Sequence, residues 1–552
     1  MLQVKNKSKK ILAIGVDDFR KLRESRRESY YVDKTLMIED FLDYGNYVTF
    51  ITRPRRFGKT LNMTMIRDFF DITQNSRNIF DGLAIMNTEY ADEINTVPVI
   101  SLSLKGCTGD TIEKLMSSIA NEVRKEYVKY INVLEKEDRN IFAYEMYFKT
   151  LEMLRNKTID DTELKYSLAY LLEALYTFYK VNPILLIDEY DNPIIEAHQR
   201  GFREKFTSFY ASFLTHALKG NPHLGQALLT GIQRVAKESI FSKLNNILVY
   251  NILDKHYAPY FGLTTDETSE LLMHYDLELT DEVKKRYDGY LFGGIEMYNP
   301  WSIISYADKK KLQNYWLKTS TNALIKESVL EAEFNFHRTF EKLIKDGEVE
   351  VVLNLEASFA ELPRLDTLWG LFVNAGYLTV TKEDYVLNSF VVRIPNEEIK
   401  TEFKEIVGSY TRLSSQLLQD MLIALTVGDM DKFMSIYQEL VIESTSYYDN
   451  KESAYHMLML GMVMNLRDLY KITSNIESGY GRSDLIMESL HEQRPHILIE
   501  FKQGKNVDKL QVEALKQIKD KKYYVGIKGD VLCIGIAHYK KVCRLAHEMI
   551  KL

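Results

Sequence analysis

Through the first half of the chain, short apolar runs that stop at polar or glycine-containing turns alternate with longer stretches whose apolar residues recur every three or four positions. Doubly buried strands give the first pattern and helices laid on a sheet give the second, so the alternation predicts an α/β fold with a parallel sheet. Strands are expected at Tyr47–Ile51, Val97–Leu102, Ile184–Ile187 and Ala227–Leu229, and helices at Ile112–Tyr130 and Leu164–Tyr179. After about Tyr260 the texture turns to helices with charged faces. An alternating pair follows, Tyr377–Thr381 and Tyr385–Asn388, parted by Lys382, Glu383 and Asp384, which reads as a β-wing on a helical domain. A helical stretch over Glu398–Tyr448 precedes three more strands, Asp484–Met487, His496–Phe501 and Val531–Ile536. The expected domains are residues 1–262, 263–400 and 401–552.

Composition narrows the function. Across 552 residues the net charge is −7, so the chain is not basic overall and any nucleic-acid site must be local. From Phe501 to Leu552, Lys and Arg number 12 against 5 Asp and Glu, a local excess of +7. Cys107, Cys533 and Cys543 form no CxxC pair and read as reduced thiols. No run reaches the 18 or so apolar residues of a membrane span, and MLQVKNKSKK lacks a following signal-type apolar stretch, so a soluble, cytoplasmic protein is expected.

The segment VTFITRPRRFGKTLN, from Val48, reads as a strand, a tight loop ending Gly58, Lys59, Thr60, and an amphipathic helix. A loop feeding a helix start aims free N–H groups and the positive end of the dipole at one spot, which suits a phosphate. Lys59 would reach the β and γ phosphates and the Thr60 hydroxyl would ligate Mg2+. Arg53 stands where the phosphate-loop pattern has glycine. Downstream, PILLIDEYD would deliver Asp188 to Mg2+ and Glu189 to the attacking water. In LLTGIQRVAKES, Thr230 is placed as a γ-phosphate sensor and Arg234 as an arginine reaching the same phosphate; a turn threonine and a solvated arginine are equally open.

RPRRFGKT, preceded by YYVDKT and followed by LLIDEYD and LTGIQRVAKESIFSKLNN, closely resembles the AAA-ATPase-like family of bacterial proteins, a branch of the P-loop NTPases. The resemblance runs from about Asp17 to Asn299, with Tyr287–Ile303 similar to the family's lid. It implies ATP as the ligand, held by Arg53, Arg55, Arg56, Gly58, Lys59, Thr60, Asp188, Thr230 and Arg234, and it accommodates arginine at position 53.

Near the C-terminus, Asp484 opens one strand and Glu500 sits in the next, two places before Lys502. Positions two apart on a strand share a face, so Glu500 and Lys502 project together. Two carboxylates converging on one point suit a hard cation such as Mg2+, and a nearby ammonium can orient water and offset charge on a phosphate. Gly479, Gly481 and Arg482 are expected to form the preceding turn, and Lys505, Lys509, Lys516, Lys519, Lys521 and Lys522 could neutralise a phosphate backbone. This region, from about Glu452 to Ala546, resembles the PD-(D/E)XK nuclease superfamily and implies a restriction-endonuclease-like fold. By that resemblance Glu452 joins the metal cluster, with Glu477 as competitor, and Gln517 lies near the substrate phosphate. His456 reads as a core histidine, and Trp301, Trp316 and Trp369 as packing anchors.

The expectation is therefore a P-loop ATPase module, a helical or winged middle domain, and a Mg2+-dependent nuclease acting on nucleic acid, DNA first. The alternative is a nucleotide-dependent switch or scaffold whose C-terminal domain binds nucleic acid or protein without cutting. A homo-oligomer stays open.

Overall fold

The computed structural model describes residues 9–233, 247–316, 346–355, 365–384, 389–401, 415–444, 452–463 and 466–552, with single positions at 336, 339, 340, 342, 343, 386, 387 and 403. The chain divides into two compact units, Met1–Ile399 and Lys400–Leu552.

In the first unit, strands β1 (Val48–Thr52), β2 (Val99–Ser103), β3 (Ile184–Asp188), β4 (Ala227–Gly231) and β5 (Ile247–Tyr250) form a parallel sheet in the order β2-β3-β4-β1-β5. β1, β3 and β4 are buried along their whole length. That follows from their unbroken apolar runs, which a sheet covered on both faces requires. Helices Ile112–Lys129 and Asp161–Tyr179 pack their apolar faces into the same core through Leu115, Ile119, Leu168 and Leu172. The four expected strands are present, each within about two residues of its expected ends. β5 escaped the sequence reading because a four-residue partly exposed edge strand carries little periodic signal.

Beyond Tyr260, β6 (Leu263–Thr264), β7 (Tyr290–Phe292) and β8 (Ile295–Tyr298) form a small antiparallel sheet in the order β6-β8-β7. Helix Pro300–Lys309 follows, and the buried Glu398 accepts from the Ser302 hydroxyl at 2.7 Å and the Trp316 N–H at 2.8 Å. A third sheet holds β9 (Glu348–Val351), β10 (Thr379–Asp384) and β11 (Ser389–Arg393) in the order β10-β11-β9. The wing turn therefore comes later than expected. Lys382, Glu383 and Asp384 belong to β10, because the Asp384 carboxylate accepts from the N–H groups of Val386 and Leu387, both at 3.0 Å, and fixes the turn after itself.

In the second unit, β12 (Tyr470–Ser478), β13 (Gly481–Ser489), β14 (His496–Gln503), β15 (Asp530–Tyr539) and β16 (Val542–Lys551) lie in sequence order. Only β14 and β15 run parallel; helix Val507–Asp520 makes the crossover between them. Gly535 lets that helix rest directly on β15, since a Cβ there would lie 2.4 Å from the Gln511 carbonyl and the Leu515 nitrogen. The turn before β13 is Gly479–Tyr480; Gly481 and Arg482 belong to the strand. All three cysteines are buried free thiols, and no helix among the described residues is long and apolar enough to cross a membrane.

Candidate functional site

β1 lies between β4 and β5, and β3 is the neighbour of β4, so the chain leaves three adjacent strands at one edge of the sheet. That edge is where parallel α/β sheets take their ligands. After β1 the backbone turns through Arg53–Phe57 to Gly58, whose φ of 87° places it in the left-handed region as N-cap of helix Lys59–Phe70. Lys59 is buried, and its Nζ donates to the carbonyls of Arg53 at 2.9 Å and Pro54 at 2.8 Å. Burial lowers its pKa, opposed by the charges of Glu189 and Asp188. Asp188 is held from both sides: Thr60 Oγ1 donates to Oδ2 at 2.7 Å and Thr230 Oγ1 to Oδ1 at 2.5 Å.

The three arginines of the loop part company. Arg56, exposed and at φ 69°, lays its guanidinium over the Trp301 ring at 4.2 Å. With Arg55, Gly58, Lys59 and Glu189 it lines a cleft of about 410 Å³, whose wall also includes Gly15, Asp17 and Trp301. A smaller apolar chamber of about 110 Å³, walled by Leu12, Tyr31, Phe57, Tyr260 and Leu263, shares Val16, Gly58 and Ile304 with the cleft. Arg53 is turned away from both. It is fully buried, and its Nη1 donates to the carbonyls of Thr52 at 2.7 Å, Tyr250 at 3.1 Å and Asn251 at 2.7 Å, with the rings of Phe261 and Phe292 at 5.3 and 5.5 Å. This arginine ties the loop to the end of β5, and it is not placed to meet a phosphate.

Glu189 follows β3 at φ 52°, strained for a residue with a side chain, and burial raises its carboxyl pKa against the pull of Lys59. Asp191 is spent on architecture: its Oδ2 accepts from the N–H groups of Ile232 at 2.9 Å and Gln233 at 3.0 Å, while Tyr190 Oη donates to the Gln233 carbonyl at 2.8 Å. Gly231 is required there, because a Cβ would come within 2.9 Å of Asp191 Oδ1 and the Tyr190 ring. The DEYD and TGIQ strings are two halves of one packed corner.

In the second unit the pairs Leu485↔Ile499 and Ile486↔Leu498 bring Asp484 beside Glu500. Asp484 Oδ2 accepts from the Phe501 N–H at 2.8 Å, and the Asp484 N–H points at Glu500 Oε2 at 3.4 Å. Glu500 is only 2% exposed. Lys502 Nζ lies 3.7 Å from Glu500 Oε1, and Gln517 Nε2, from the crossover helix, donates to the same oxygen and reaches Tyr523 Oη at 3.1 Å. His456 is buried and donates from Nε2 to the Asp484 carbonyl at 3.0 Å, so it supports the strand that carries the acid. The donor set of Asp484 and Glu500 is all carboxylate oxygen, which fits a hard divalent ion. Among the described residues no three His, Cys, Asp or Glu side chains gather at metal-binding reach. The side chains of Glu452, first residue of helix Glu452–Val463, and of Glu477 lie outside the described residues, as does Arg234 altogether.

Comparison with known proteins separates the two sites by origin. Residues 13–241 match the family model described as predicted AAA-ATPase, and residues 450–548 match that of the PD-(D/E)XK nuclease superfamily. Two separate stretches of the chain are thus similar to an AAA-ATPase-like domain and to a PD-(D/E)XK superfamily domain. A protein of Azotobacter chroococcum mcd 1, described as an uncharacterized protein in the vnfD 5' region, is 26% identical over 546 residues, covering 94% of this chain and 93% of its own. The similarity thus extends over nearly the full length of both. Within the AAA-ATPase-like domain the sequence reading missed the Gly15–Asp17 wall of the cleft, which carries no motif. It also took Trp301 for packing alone; the ring is half-buried, donates from Nε1 to the Tyr315 carbonyl at 3.2 Å and faces the cleft, whereas Trp316 and Trp369 are core residues. In the PD-(D/E)XK domain it missed Tyr523, whose place beside Gln517 depends on the turn after the crossover helix.

Proposed function

We propose that the chain binds Mg2+-ATP at the phosphate loop and cuts nucleic-acid phosphodiesters at Asp484, Glu500 and Lys502. The observation that carries the nuclease half is the convergence of Asp484, Glu500, Lys502 and Gln517 around one buried carboxylate. Isolated surface charges have no reason to bury a glutamate among such partners. A bound Mg2+ would supply Lewis acidity at the scissile phosphate. Asp484 and Glu500 would hold it, Lys502 would orient the attacking water and offset phosphate charge, and Gln517 would keep Glu500 in place.

At the phosphate loop, Lys59 would exchange its carbonyl partners for the β and γ phosphates, Thr60 and Asp188 would serve the nucleotide's metal, Thr230 would sense the γ-phosphate through Asp188, and Glu189 would act on water. The apolar chamber beside the cleft suits the base.

Mg2+-dependent nicking of supercoiled plasmid tests the reading, with Asp484→Ala and Lys502→Ala as controls that should abolish it. Nucleic-acid binding without cutting in Mg2+ or Mn2+ would replace the nuclease with the switch or scaffold reading. Equal cutting by wild type and Lys59→Ala in the presence of ATP would mean that the two sites work independently.

A further inference from the structure

The β12–β13 turn ends in the most exposed aromatic side chain among the described residues, Tyr480 at 72%. An exposed lone ring on a frayed turn would mean little, but this turn is pinned. The Tyr480 N–H donates to the Lys521 carbonyl at 2.8 Å and the Ser478 hydroxyl to the Tyr523 carbonyl at 2.6 Å. Gly479, at φ 56°, sits so close to the end of the crossover helix that a Cβ would lie 2.2 Å from the Lys521 carbonyl oxygen. Gly481 is close-packed too, its Cβ position 3.2 Å from Tyr523 Oη. The backbone thus holds the ring out in solvent from a fixed position.

That position belongs to the carboxylate site. Tyr523 Oη binds Gln517, and Gln517 binds Glu500, so the pinned turn and the acids share one hydrogen-bonded path. Tyr480, in the turn just before β13, precedes Asp484 by four residues, at most about 13 Å of extended chain. Arg482, exposed, lies between them on the face of Asp484, and Lys521 and Lys522 are exposed at the turn itself. An aromatic plane flanked by cations, within a short stretch of strand from paired carboxylates, matches a polyanion whose bases offer a free face.

We infer that Tyr480 stacks on an unpaired base of the substrate strand, so that the site takes single-stranded or splayed nucleic acid. The inference rests on the nuclease reading above. In a duplex, both faces of each base are already covered, and this ring could add nothing.

The test uses the full chain with Mg2+ and a 5'-labelled 20-nucleotide DNA, the same DNA as a blunt duplex, and an RNA of the same sequence. Tyr480→Ala should lower single-strand cutting through KM by about 5- to 150-fold, the range for one lost base–aromatic stack, with a smaller effect on duplex. Tyr480→Trp should stay close to wild type, and the RNA arm tells which unpaired polymer is taken. Equal losses on single strand and duplex, or none, would overturn the inference. Fluorescence anisotropy of the same single strand on Asp484→Ala, with and without Tyr480→Ala, separates the two readings. A matching affinity loss supports stacking even where no cutting is seen, and unchanged affinity overturns stacking whether or not the site cuts.

Discussion

Replacing Arg53 by methionine separates a scaffold arginine from a phosphate ligand. The two hydrogens of Arg53 Nη1 are shared among three carbonyls, those of Thr52, Tyr250 and Asn251, while its buried Nε and Nη2 have no acceptor among the described residues. At about 1 kcal/mol net for each of the two shared hydrogens, and with methionine keeping most of the apolar contact with Phe261 and Phe292, the loss should be about 2 kcal/mol. Unfolding entropy of about 2.1 cal/mol/K per residue over a unit of roughly 400 residues gives ~0.8 kcal/mol/K, hence a fall in Tm of about 2 °C. Because the guanidinium faces away from the cleft, the Kd for ATP should move by less than about threefold, under 0.7 kcal/mol. Differential scanning fluorimetry and titration with a fluorescent ATP analogue read both quantities on one preparation. An unchanged Tm with ATP binding weakened tenfold would refute the reasoning and return Arg53 to the phosphate.

Thr230→Val removes the hydroxyl on Asp188 Oδ1 while keeping shape; ATP turnover should fall by about 10- to 100-fold with affinity little changed, as measured by phosphate release. Glu189→Gln tests the raised carboxyl pKa. A group raised by folding contributes stability below its unfolded pKa and loses it as pH climbs through the folded value, so Glu189→Gln should melt higher than wild type at pH 8, and the gap should close as the pH falls toward 4.5. A gap independent of pH would contradict this. Gly535→Ala forces a Cβ against the backbone of the crossover helix; about 1–3 kcal/mol of stability should be lost, and cutting should drop as Gln517 moves off Glu500, seen by thermal melts and plasmid nicking together.

The parallel sheet was legible because its strands are unbroken apolar runs with long helices between them, and Lys59, Thr60 and Asp188 stand together because GKT and LLIDE each sit at a strand end of that sheet. What stayed hidden has a common cause. The direction of Arg53 depends on carbonyls nearly 200 positions away, at Tyr250 and Asn251. Nothing in DEYD by itself shows that Asp191 builds a corner with Ile232 and Gln233. Likewise Tyr523 and His456 have ordinary neighbours in sequence, and their relation to Glu500 and Asp484 arises only when the crossover helix and helix Glu452–Val463 close on the sheet. The β10 turn was misplaced because charged residues signal solvent as readily as they signal a turn.

Lys59 already has two occupants for its ammonium, the carbonyls of its own loop. Two of its three N–H donors are so engaged, and on the proposed reading an anion needing more than the third would have to displace a carbonyl, which would favour a polyphosphate that engages several loop groups at once over a small ion. The loop would then compete in part with its own ligand, and discrimination between a triphosphate and inorganic phosphate would be built into the backbone that holds Lys59.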